Sequence, residues 1–119
     1  MDMNAMMASI KANPDYDKAG MVLYHNGIVR STSRDGRPVT GLRVAVDLQK
    51  LKDVLTTYRQ RPGIVDIQVE IAADRDLVVG DDVMLLAVAG DIRENVIETL
   101  RDTLNAIKTT VTAKTEYFV

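Results

Sequence analysis

Apolar residues recur along this chain with two different periods, and the points where the period changes divide it into elements. Met6, Met7 and Ile10 fall on one side of a short helical stretch from Met3 to Ala12, which Asn13 and Pro14 end. A helix that short depends on docking for its stability. From Gly20 to Arg30 apolar residues occupy both parities, Met21, Leu23 and Val29 against Val22, Tyr24 and Ile28, which predicts an interior strand covered on both faces. Arg34, Asp35, Gly36 and Arg37 then carry an Asp-Gly hairpin signal. A half-buried strand follows, in which Thr40, Leu42, Val44 and Val46 alternate with Val39, Gly41, Arg43 and Ala45. Asp47 caps a predicted helix whose Leu48, Leu51, Val54, Leu55 and Tyr58 form one stripe and which Pro62 and Gly63 stop.

The second half repeats the alternation of periods. Ile64 to Ala72 reads as a strand with Val65, Ile67, Val69 and Ile71 inward and Asp66, Gln68 and Glu70 facing water. An acidic loop through Gly80, Asp81 and Asp82 leads into Val83 to Ala89, apolar throughout and therefore central, and Gly90 ends it. Asp91 with Glu94 three positions later predicts a capping box for a second helix, with Ile92, Val96, Leu100, Leu104 and Ile107 on its stripe. Thr110 to Val119, rich in Thr and Val, suits a closing strand. Residues 38–119 thus contain the order βαββαβ, a ferredoxin-like portion, and the class is α+β with a mostly antiparallel sheet and two main helices. The 119 residues predict a single domain, 1–119, with 1–19 as a variable N-terminal segment.

Composition removes several classes of function. The formal net charge of -2 disfavours a duplex-binding surface, so no nucleic-acid partner is expected. No cysteine is present, which rules out a disulfide framework, a thiolate metal site and a cysteine nucleophile. The Met-rich start has no basic n-region, and no segment has the length of an apolar membrane span, so a cytoplasmic setting is the expectation. Asp74, Asp76, Asp81 and Asp82 lack calcium-loop spacing and read as turn chemistry, and neither a metal site nor a cofactor is expected.

Four cations carry the candidate chemistry. Arg30 stands where a buried strand emerges, a rigid support for a binding side chain. Arg93 sits near the start of the second helix, against the macrodipole; it is either neutralised by Asp91 and Glu94 on a solvated surface or part of an anion site made with the free N–H groups there. Lys108 in the last turn complements the dipole, and Lys114 on the final strand reads as an edge charge; together they can also reach one pocket rim as an acid or base and a charge clamp. Arg offers a planar fork for phosphate or carboxylate and Lys a compact charge, so an anionic ligand is the first hypothesis. His25, the only histidine, reads as packed on its strand rather than catalytic.

The segments GMVLYHNGIVR and LVVGDDVMLLAVAG, the helix from Arg93 to Lys108 and the KTE at Lys114 to Glu116 resemble, in order and spacing, the MoaE family, the large catalytic subunit of molybdopterin synthase. The resemblance runs from about Gly20 to Glu116 and implies an α/β hammerhead fold with a ferredoxin-like portion. It implies a homodimer within a heterotetramer, each subunit accepting the C-terminal Gly-Gly tail of a small ubiquitin-like MoaD partner. The implied activity is transfer of sulfur from a thiocarboxylate on that tail to cyclic pyranopterin monophosphate, the pterin substrate. On matching positions Arg30 and Arg93 would bind phosphate or other anionic groups, while Lys108 and Lys114 would be catalytic, positioning the thiocarboxylate and assisting proton transfer. The chain departs from the family pattern at Ile92, in place of a histidine, at His25, in place of an aromatic, at Ala72 and Ala73, in place of a His-Arg pair, and at Val44 to Val46, in place of an acidic-aromatic cluster. Two other expectations remain beside it: a non-catalytic MoaE-like binding or scaffold homologue, and an unrelated ferredoxin-like ligand-binding domain.

Overall fold

The strand Asp82–Gly90 is apolar at both parities, so its stable place is between two layers, and the rest of the chain is arranged around it. A computed structural model describes residues 1–119. In chain order it contains α1 (Met3–Lys11), a 3₁₀ turn at Tyr16–Lys18, β1 (Met21–Ile28), β2 (Val39–Val46), α2 (Leu48–Arg59), β3 (Ile64–Ile71), β4 (Asp76–Val78), β5 (Asp82–Gly90), α3 (Arg93–Ala106), a π-helical turn at Ile107–Val111, and β6 (Thr112–Phe118). Every strand pairing is antiparallel, and the fold is α+β, as expected.

The βαββαβ order is present as β2, α2, β3, β5, α3 and β6, and both of its antiparallel pairings are made, β2 with β6 and β3 with β5. The halves are not joined in one sheet. β1 takes the free edge of β5, in register from Met21 opposite Gly90 to Ile28 opposite Asp82, so two three-stranded sheets form, ordered β1-β5-β3 and β4-β2-β6. The Asp-Gly turn accordingly does not pair β1 with β2. It closes a small tip bridged between Thr32 and Pro38, with Gly36 at φ +86°, a backbone state that favours glycine. The short β4, inside what reads in sequence as an acidic loop, pairs with β2 from Gly41 to Arg43. A Cβ at Gly41 would run into the Leu77 carbonyl oxygen, so this close approach needs glycine.

β5 is covered on both faces. Leu86, Val88 and Met84 face α2 and α3, joined by Ile67 and Val96, while Leu85, Ala87 and Ala89 face α1 through Met6 and Ile10. Docking of α1 therefore supplies what its short length lacks, and it also covers part of the β3 face expected to meet water: the Gln68 amide donates to Ser9 Oγ at 2.9 Å. A third cluster, Val29, Leu42, Val44, Ala72 and Leu77, fills the seam between the sheets.

The helix caps show where pattern reading stops. Asp47 caps α2, its Oδ1 accepting the Lys50 N–H at 3.0 Å, and Leu51, Val54, Leu55 and Tyr58 pack inward. Leu48 does not; it is 76% exposed, because side chains lean toward the helix N-terminus and the first residue overhangs the core. The capping box expected of α3 is absent. Its first helical residue is Arg93, so Asp91 lies one residue too early and its Oδ1 accepts instead from the Ile92 N–H at 2.7 Å and the Asn95 amide at 2.9 Å. Glu94 pairs with Arg93.

One polar network ties β6 to the other strands of its sheet. Tyr117 Oη donates to Asp76 Oδ1 at 2.7 Å, Arg43 Nη1 reaches the same oxygen at 3.3 Å, and Arg43 Nη2 donates to the Asp74 carbonyl at 2.7 Å. The Tyr117 hydroxyl first, and then Arg43, holds the Asp76 carboxyl below its ordinary range. A carboxyl lowered by folding contributes stability above its unfolded pKa and loses it as pH falls through the folded value. Tyr117→Phe is expected to move the Asp76 midpoint, read by carboxyl-carbon NMR, up toward the ordinary value, so that the acid-side loss begins at higher pH.

Candidate functional site

Three segments that end near one another build a cleft of about 300 Å³ in the seam between the sheets. β1 leaves its sheet at Ile28, and Val29 is fixed immediately afterwards: it is 2% exposed, its N–H donates to the Asp81 carbonyl and its carbonyl accepts from the Gly80 N–H, both at 2.9 Å. Arg30, the next residue, turns into the cleft, and its Nε donates to the Thr32 carbonyl at 2.9 Å, which orients the guanidinium plane. β6 contributes Lys114 and Glu116, two residues apart on one face and opposite Val44 and Leu42 of β2. Glu116 Oε1 lies 3.8 Å from Lys114 Nζ.

The third segment is the π-helical turn. Sequence periodicity runs α3 straight through Lys108, but after Ala106 the chain widens into i→i+5 geometry. Three threonine hydroxyls bond the carbonyls there: Thr109 donates to Asn105 at 2.9 Å, Thr110 to Ala106 at 2.6 Å and Thr112 to Ile107 at 3.4 Å. Ile107 and Val111 are buried and anchor the turn at both ends, while Lys108 between them is exposed toward the cleft. The run of threonines after Ile107 is the one sequence signal that could have marked this turn.

A second recess of about 170 Å³ continues the cleft past Lys108 and Lys114 and is lined by His25, Gly27, Leu42, Val83 and Met84. The groove is thus cationic at one end, where Arg34 joins Arg30, and largely apolar at the other. It suits a ligand with an anionic head and a less polar body. Burial first, and then the Lys108 charge, pushes the His25 imidazole below its ordinary pKa.

Of the four cations singled out from sequence, Arg30, Lys108 and Lys114 meet in this cleft. Arg93 does not. It starts the helix whose far end leads to Lys108, and at 1.5 Å per residue the two lie roughly 20 Å apart. Arg93 borders a different recess with Gly20, Met21 and Ile92, and its Nε lies 3.2 Å from Glu94 Oε1. Ile92 is 53% exposed beside it, and Ala72 is closed into the seam. Arg34, which the sequence places in a polar hairpin turn, Glu116, to which it gives no separate role, and His25, which it reads as packed, also line the groove. No group of acidic or histidine side chains is placed to hold a metal ion, and no helix is long and apolar enough to cross a membrane.

Fold and cleft define an α+β protein whose seam between two antiparallel sheets gathers cations from separate segments into one groove. The family described as MoaE protein matches residues 1–110, and the chain belongs to that family. Membership places it with the proteins of molybdenum cofactor biosynthesis. Among solved structures it is similar to molybdopterin synthase from Staphylococcus aureus, at TM-score 0.80 and 18% identity, covering 100% of this chain and 86% of that one. It is similar also to a molybdopterin biosynthesis MoaE protein from Burkholderia ambifaria, at TM-score 0.78 and 20% identity, covering 100% and 82%. A complex of subunits 1 and 2 of molybdopterin-converting factor from Helicobacter pylori gives TM-score 0.72 at 16% identity, covering 100% and 84%. No curated protein matches in sequence.

Proposed function

We propose that this chain is the sulfur-transferring large subunit of a molybdopterin synthase, acting on cyclic pyranopterin monophosphate with sulfur from a thiocarboxylated ubiquitin-like partner. The observation that carries the reading is the convergence of Arg30, Lys108 and Lys114 from three separate segments on one groove. A rigid fork at Arg30 holds the substrate phosphate, and the two lysines face the thiocarboxylate at the end of a Gly-Gly tail. The absence of cysteine fits a sulfur that arrives on the partner. Arg93, some 20 Å from the cleft on the same helix, contributes only across a symmetric contact, which makes a homodimer part of the proposal.

The alternative, a homologue that binds partner or pterin without turnover, draws on Ile92, Ala72 and Ala73, which lack the polar groups of the family pattern. Reconstitution separates the two. With purified thiocarboxylated partner and cyclic pterin, molybdopterin is expected to form; a partner that co-purifies while no product appears would instead establish the binding role.

A further inference from the structure

His25 sits on the same β1 face as Gly27, opposite Leu86 of β5, and its side chain forms part of the wall of the groove beyond the two lysines. Nothing crowds it from its own strand: its Nε2 stands 3.4 Å from where a Cβ on Gly27 would be, a space that glycine leaves open. We propose that His25 is a working group of this cleft, the one that takes up a proton when an anionic ligand enters and releases it when the ligand leaves. The inference rests on reading the groove as an anion site, and it adds a residue that the four cations did not include.

The charges around the imidazole decide the direction. β5 contributes Val83 and Met84 to this end of the groove and β2 contributes Leu42, none of them ionisable. The π-helical turn contributes Lys108 and β6 contributes Lys114, with Glu116 beyond it. Burial first, and then the Lys108 charge, opposes protonation of His25, so without a bound anion the imidazole is neutral at neutral pH. An anion between Lys108 and Lys114 cancels the repulsion and puts negative charge beside the ring, which favours the imidazolium. A proton is drawn from solvent to the ring as the anion binds, and returned as it leaves. Binding then strengthens as pH falls through the His25 range and weakens as it rises.

Because His25 is the only histidine, its imidazole C–H signals report on it without assignment. The full chain is titrated by proton NMR in sodium sulfate, a dianion throughout the histidine range, and in sodium chloride at matched ionic strength. The expected midpoint in chloride lies below the ordinary histidine value, and sulfate raises it by about half a unit or more, equivalent to roughly threefold tighter sulfate binding on the acid side. Lys108→Ala is expected to raise the chloride midpoint and remove most of the sulfate effect. His25→Phe, which keeps a ring at this position, is expected to make sulfate affinity independent of pH across the same range. Equal midpoints in the two salts, whether or not sulfate perturbs the Lys108 and Lys114 signals, overturn the proposal. A sulfate-dependent midpoint in a chain that makes no molybdopterin upholds it and counts against sulfur transfer instead.

Discussion

Lys108→Ala is expected to lower molybdopterin formation at least about 100-fold, the scale on which a positioned proton-transfer or charge-bearing side chain contributes. The comparison is Lys50→Ala, which removes the same charge from an exposed site near the start of α2 and is expected to leave turnover unchanged. Lys108 is carried by a turn whose buried neighbours Ile107 and Val111 and three threonine hydroxyls do not depend on the ammonium group, so the variant should keep its fold and its partner. Loss of rate with retained binding of the ubiquitin-like protein is the result that assigns chemistry to the cleft. Equal activity in the two variants would remove the mechanism.

The largest effect on stability is expected at the centre of β5. Leu86 is fully buried, so Leu86→Ala should cost about 3–5 kcal/mol, from lost transfer energy and the cavity left behind. Against a typical stability of about 5–15 kcal/mol that leaves a marginal fold, seen as a lower urea midpoint with little change in slope. Leu48→Ala, at a leucine that is 76% exposed, should stay within about 0.5 kcal/mol. A Leu48 variant as damaging as the Leu86 variant would mean that the overhanging first turn of α2 is covered in the assembled protein.

That contrast also marks what could be read in advance. The two-sided apolar run of β5 announced its central position, and the stripes of α2 and α3 announced their packing, because burial is written directly into period. Leu48 belonged to the stripe by angle, yet a stripe says nothing about where along its axis the covering sheet ends. Pairing was less legible still. The order βαββαβ was visible, whereas the choice of β1 as neighbour to β5, which splits the structure into two sheets, depends on contacts between segments about sixty residues apart. At the site, residue type picked out Arg30, Lys108 and Lys114, and folding brings them together. Arg93 meets the same criterion, although helix length alone sets it roughly 20 Å from Lys108. Arithmetic available from the sequence thus kept those two apart within one copy. His25 reads in sequence as packed because an apolar strand usually hides its histidine, and only the opening above Gly27 shows the ring on a wall of the groove.

The cations of the groove stand at or near places where elements stop: the exit of β1, the widened turn after α3 and the first residues of β6. None of its cations belongs to the packed layers on either side of β5. Selection can therefore exchange one reactive group for another here with little effect on foldedness, and a lineage can shed or acquire chemistry while its architecture persists. The chain shares under a quarter of its residues with the solved proteins described above and still superposes along its whole length, so the keel tolerates wide replacement of its own timbers as well as of the rim.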